Sequence, residues 1–135
     1  MLAYAGSVGL FRKKTRDRSL DPEQRSPELG IKIKDLLVLE QMVQAGADLT
    51  QPRHVLHYLY FPSREAAEAA VAEVPAPFGA EIGEPSPERS EQWAVRCEAH
   101  EYTLTADVVR ENTDQFEALA QANGGDYDGW EASIS

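Results

Sequence analysis

The segment Arg53 to Phe61 (Arg-His-Val-Leu-His-Tyr-Leu-Tyr-Phe) limits the possible folds more than any other. It is crowded with β-favouring residues and closed by Pro62, so it reads as a strand. The next segment must then pack on that strand. Ser63 stands where a helix cap is needed, and Glu65 sits in the first turn, facing the positive end of the helix dipole. The alanine-rich stretch Arg64 to Val74 predicts a helix able to lie close to a sheet, ended by Pro75 and Pro77. Phe78 to Ile82 reads as a short second strand, and Gly83-Glu84-Pro85-Ser86-Pro87 as turn and loop. Gln92 to Glu101 is a third strand, with Trp93, Val95, Cys97 and Ala99 on one face. Thr105 caps the next helix, whose buried stripe is Val108, Val109, Phe116, Leu119 and Ala120; Gly124-Gly125 ends it. Asp126 to about Ser133 is the last strand.

Upstream, Ile33 to Ala45 predicts a helix with Ile33, Leu36, Leu37, Val43 and Ala47 on its apolar side and Gly46 as its stop. The order α–β–α–β–β–α–β makes the chain an α+β protein, a ferredoxin-like βαββαβ sandwich with an additional N-terminal helix. Two split βαβ units would give a four-stranded antiparallel sheet with two helices on one face. Within residues 1–30, the segment Arg12 to Gly30 mixes charges with Pro22 and Pro27 and lacks apolar periodicity. Residues 1–30 read as a basic, flexible arm, and residues 31–135 as the folded domain.

Charge divides the same way. Residues 1–34 hold eight Lys/Arg against four Asp/Glu, a net of +4; the rest hold five against nineteen, a net of −14. So acidic a body disfavours direct nucleic-acid binding and suits a protein partner with a basic surface. The run Arg12, Lys13, Lys14, Arg16 and Arg18 could touch RNA or an acidic partner, but short basic runs are more often solvated arms. No stretch approaches the ~20 apolar residues of a membrane span, and the cationic run follows the mildly apolar start, the reverse of a secretory signal. With Cys97 as the single cysteine, a reducing cytoplasmic setting is expected.

If Val55, His57, Leu59 and Phe61 face the helices, Leu56, Tyr58 and Tyr60 face outward. Arg96, Glu98 and His100 would join them, with Tyr127 and Glu131 from the last strand. A patch of Tyr and Leu rimmed by charge suits an interface. Leu56, Tyr58, Tyr60, Glu98, Tyr127 and Glu131 are therefore the expected partner-binding residues, and a homodimer through the open sheet is a further use of this face. The alternative is that the leading helix folds back and covers it. In Tyr127-Asp128-Gly129-Trp130, Trp130 reads as a core anchor and Gly129 as a position for a bulge or close backbone approach.

Catalytic and metal chemistry find little support. His54 and His57 fall on opposite strand faces, as do Cys97 and His100, and there is no cysteine pair or His-Glu-x-x-His. The expectation is no metal and no cofactor, with Cys97 a buried core thiol. Carboxylates at Glu81, Glu84, Glu88 and Glu91, and at Asp107, Glu111 and Asp114, read first as solvated faces. With no glycine-rich phosphate loop and no Gly-x-Ser-x-Gly elbow, no catalytic residue is assigned and the chain is expected not to be an enzyme.

Leu104-Thr105-Ala106-Asp107 opens the last helix and Asp126-Tyr127-Asp128-Gly129-Trp130 begins the strand after it. With these motifs the chain resembles the regulator of ribonuclease E activity B family. The match extends more loosely through His57-Tyr58-Leu59 to the leading helix near Leu36, covering roughly residues 32–133. The resemblance implies an inhibitor that binds ribonuclease E and remodels RNA-decay complexes without catalysis of its own. It also gives some reason to see an acidic partner surface in the carboxylates. The competing readings are an immunity or adaptor protein using the same open sheet, and a small-molecule enzyme on a similar sheet.

Overall fold

The computed structural model describes residues 2–5, 21 and 23–134. In chain order the elements are β1 (Leu2–Ala5), α1 (Ile33–Gln44), β2 (Arg53–Phe61), α2 (Arg64–Ala72), β3 (Gly79–Gly83), β4 (Trp93–Tyr102), α3 (Ala106–Ala122) and β5 (Asp126–Ser133). A 3-10 turn at Pro87–Arg89 lies between β3 and β4. The protein is thus α+β, with three α-helices among the described residues and a sheet whose strands all pair antiparallel.

The sheet order is β1-β5-β2-β4-β3. Four of its strands are those expected from the sequence; β1 is an addition at the β5 edge, with Ala3 opposite Ala132 and Ala5 opposite Trp130. Residues 2–5 fall within the expected arm, and so does the segment before α1, yet both make fold contacts. Ser26 and Ile31 are buried, and Arg25 pairs with Lys32 in an isolated bridge. Residues 2–5 and 23–30 thus contribute contacts to the described fold. The cationic run from Arg12 to Arg18 lies outside the described residues.

Local chemistry explains the element starts. The Ser63 hydroxyl accepts from the Ala66 amide at 3.1 Å, and Thr105 accepts from Val108 at 3.2 Å. Each satisfies one orphan donor at a helix N-terminus. Gly125 lets the chain leaving α3 pass close over β2. A Cβ there would fall far inside van der Waals contact with the Tyr60 carbonyl and the Phe61 ring.

The three described helices occupy one face of the sheet. Val55, His57, Leu59 and Phe61 point toward them and are buried, as expected. Ala67 and Ala70 of α2 and Val109, Phe116, Leu119 and Ala120 of α3 join the same core. The leading helix sits on this side too, because Trp130 hydrogen-bonds Asp35 of α1. It therefore does not fold back over the open face. Its buried side differs from the expected stripe: Lys34, Asp35, Val38, Leu39 and Met42 are buried, while Val43 is 54% exposed. Apolar periodicity alone misplaces the helix because a buried carboxylate and lysine lie on its inner side.

Candidate protein-binding face

The face away from the helices carries His54, Leu56, Tyr58 and Tyr60 from β2, and Ala94, Arg96, Glu98 and His100 from β4. Register fixes the neighbours: Leu56 stands opposite Glu98 on one side and Glu131 on the other. Tyr58 stands between Arg96 and Gly129, and Glu81 of β3 lies opposite Arg96. Among the described residues no helix lies over this surface. Tyr58, Tyr60, Glu98 and Glu131 are half-buried; Leu56, expected to present itself to a partner, is only 6% exposed and offers little surface of its own.

Electrostatics couple these side chains. Burial, followed by the charge of Glu131 and a hydrogen bond to it, raises the Tyr58 phenol above its ordinary range. The phenol therefore stays protonated and donates to that carboxylate. A hydrogen bond from His54 holds the Glu98 carboxyl below the usual range. Arg96 lies 3.6 Å from Glu81 and 3.8 Å from Glu98. Beside the tyrosines, Ile82, Arg89 and Arg96 help to line a shallow depression of about 250 Å³.

Tyr127 is not on this face. The pairing between β2 and β5 shifts register between Tyr58 and Leu59, so Tyr58 faces Gly129 while Leu59 faces Tyr127. Asp128 is the extra residue of a bulge, and Gly129 takes φ +104°, a conformation that favours glycine. Strict alternation would put Tyr127 opposite in sense to Trp130; the bulge turns both toward the helices. The Tyr127 hydroxyl lies 2.8 Å from His57 Nδ1, and its ring stacks on Phe116 at 5.9 Å. The sequence-based expectation that Tyr127 points outward is corrected accordingly.

Beneath the sheet lies an interior polar cluster that the apolar pattern does not reveal. Asp35 accepts from Trp130 Nε1 and from Thr113 Oγ1, each at 2.9 Å. Burial raises the Asp35 carboxyl, opposed by those two hydrogen bonds. His57, stacked on Phe116 at 4.2 Å, is pushed down to about 3 by burial and stays neutral. Burial pushes the Cys97 thiol up to about 12, so it is an inert core group, as expected. Lys32 and Lys34 are also buried. Lys32 pairs with Glu117 and Glu23, and Lys34 with Glu23 at 2.9 Å. They border a crevice of about 470 Å³ beside Asp126 and Tyr127, with both amines held in ion pairs.

The carboxylates of α3 are partly engaged. Asp114 pairs with Arg25 at 2.5 Å, Glu117 with Lys32, and Asp107 with Arg110 at 3.0 Å. The segment preceding α1 thus supplies cations to this helix, which weakens the case for α3 as the main acidic docking surface. No helix among the described residues is long and apolar enough to cross a membrane.

Comparison with known proteins bears on these surfaces. No curated protein matches the chain. The family model described as Regulator of ribonuclease activity B matches residues 32–132, from just before α1 into β5, and leaves β1 outside. That span holds both the helix-free face and the interior cluster, apart from β1. The chain belongs to the Regulator of ribonuclease activity B family.

Proposed function

We propose that this protein is a non-catalytic regulator that inhibits ribonuclease E, or a related RNA-processing enzyme, by binding it through the helix-free sheet face. The family supports regulation of a ribonuclease. The observation that carries the choice of surface is that α1, α2 and α3 all lie on one side. Leu56, Tyr58 and Tyr60 are thereby left on the other, flanked by Glu98 and Glu131. Tyrosine anchors ringed by charge are the composition of an interface centre. The order β5-β2-β4-β3, with helices crossing between β2 and β3 and between β4 and β5, supports reading the sheet as ferredoxin-like. The enzyme is the partner in the reducing cytoplasm, and its basic surface meets the net −14 of residues 35–135.

The test is a titration of purified ribonuclease E with the full chain, reading affinity and RNA cleavage together. Saturable binding with loss of cleavage supports the proposal. Binding without loss of cleavage would leave an adaptor role, and no binding would overturn the choice of partner. Sedimentation of the chain alone shows whether a second copy occupies the same face.

A further inference from the structure

We infer that His54, Glu98 and His100 form a binding site for a divalent transition-metal ion of the zinc class. The chain has three histidines, and two of them meet here on the open face. Their meeting is a product of sheet geometry rather than of local sequence. Glu98 and His100 are two apart on β4 and share a face. The β2–β4 register passes from Val55 opposite Ala99 to Arg53 opposite Tyr102, so an irregularity at this point sets His54 across from His100. Such an irregularity re-aims side chains at the end of a ladder.

The two imidazole rings stack at 5.2 Å with an interplanar angle of 18°. His54 Nε2 is in contact with Glu98 Oε2, and His100 Nε2 lies 3.9 Å from Glu98 Oε1. One donor atom from each residue falls within 4.8 Å of the other two. Around a tetrahedral zinc ion with bonds of ~2.0–2.2 Å the donors stand about 3.3 Å apart. Side-chain rotations of about an ångström would therefore close the site, on a backbone held by the sheet. His100 is largely exposed and free to make that adjustment.

Donor chemistry selects the metal. Two imidazoles and a carboxylate suit zinc and its neighbours, whereas magnesium and calcium need all-oxygen sets. Three protein ligands leave a fourth position for water or for a donor from a docked molecule. Glu98 and His100 also line a depression of about 360 Å³, shared with Glu81 and Arg96, which gives that fourth ligand room. The Arg96 guanidinium, 3.8 Å from Glu98, competes with the ion for the carboxylate, but it is also held by Glu81 and is half-exposed.

Against its sequence neighbours alone, each histidine fails as a ligand. The structure supplies the pairing across strands.

The test is calorimetric titration of the tag-free, metal-stripped full chain with zinc chloride, with proton–nitrogen spectra of the imidazoles recorded in parallel. One ion per chain is expected. The His54 and His100 resonances should shift while those of buried His57 stay in place. Losing one of three protein donors should weaken binding by about tenfold or more in His54→Ala, His100→Ala and Glu98→Gln, and the double histidine variant should bind no zinc at all. Absence of zinc binding, unchanged binding in the double variant, or equal affinity for magnesium would overturn the proposal. So would a titration that leaves the His54 and His100 resonances in place, a readout that needs no variant to fold.

Discussion

The indole N–H of Trp130 donates to Asp35 Oδ1 at 2.9 Å, joining the last strand to the first helix inside the core. Thr113 of α3 donates to the other carboxylate oxygen at the same distance, so one buried acid ties together three elements. Trp130→Ala empties an aromatic site and strips Asp35 of a donor. It should destabilise by about 3–5 kcal/mol. Trp130→Phe keeps most of the volume and loses the bond, so about 1–3 kcal/mol is expected. Urea unfolding curves measure both; a Trp130→Phe variant as stable as the parent would show that the bond contributes nothing.

His57 makes stability depend on pH. Its folded value is about 3 against 6.5 when unfolded. A depressed value means that the unfolded chain binds the proton first. The contribution is therefore present above 6.5 and lost as pH falls toward 3, at about 1.4 kcal/mol per pH unit. Asp35, raised by burial, acts in the opposite sense: its contribution is present at low pH and lost as pH rises through its folded value. Glu23 and Glu98 are lowered, so their contribution is lost only below the ordinary carboxylate value of 4.5. Between pH 6.5 and 4.5, His57→Phe should therefore flatten the fall in stability, measured by denaturation at each pH. An unchanged slope would show that His57 is not the titrating group.

Two glycines should resist substitution. Gly125→Ala forces a methyl against the Tyr60 carbonyl and the Phe61 ring, and overpacking of this kind destabilises by about 1–3 kcal/mol. Gly129→Ala strains a left-handed residue by roughly 1–2 kcal/mol and weakens the bulge that turns Tyr127 inward. Thermal melts of the two variants check this; parent-like melting of Gly129→Ala would remove the bulge from the account.

These residues also mark where sequence reading succeeds and fails. The alternation in Arg53–Phe61 is legible because a half-buried strand repeats every two residues, and it places His57 inward and Tyr58 outward as found. The same rule fails at Tyr127, because a bulge inserts one residue and inverts the sense of all that precedes it. Gly129 is the only hint. Apolar periodicity misjudges α1 for a different reason: Lys34 and Asp35 are buried through pairing with Glu23, Thr113 and Trp130, distant partners that no local pattern announces. Strand β1 escapes a reading of the sequence because a run of only four residues carries little periodic signal. The meeting of His54 with His100 depends on strand register, which lies beyond local spacing.

Cys97 should be inert in the native protein. Its thiol is buried and its pKa pushed up to about 12, so almost none is thiolate at neutral pH. Iodoacetamide should modify it only after denaturation, as read by mass spectrometry. Rapid native labelling would show that the β4 interior opens readily.

The most direct measurement is the affinity of purified ribonuclease E for the parent and for two variants. Tyr58→Ala with Tyr60→Ala removes two anchors of the helix-free face without touching the core. It should weaken binding by about 30-fold or more, as loss of an interface anchor does, while melting stays close to that of the parent. Glu111→Lys with Asp114→Lys reverses charge on the exposed side of α3 and should change affinity little. Parent-like binding by the tyrosine variant, with loss in the α3 variant, would contradict the account and place the partner on the helix.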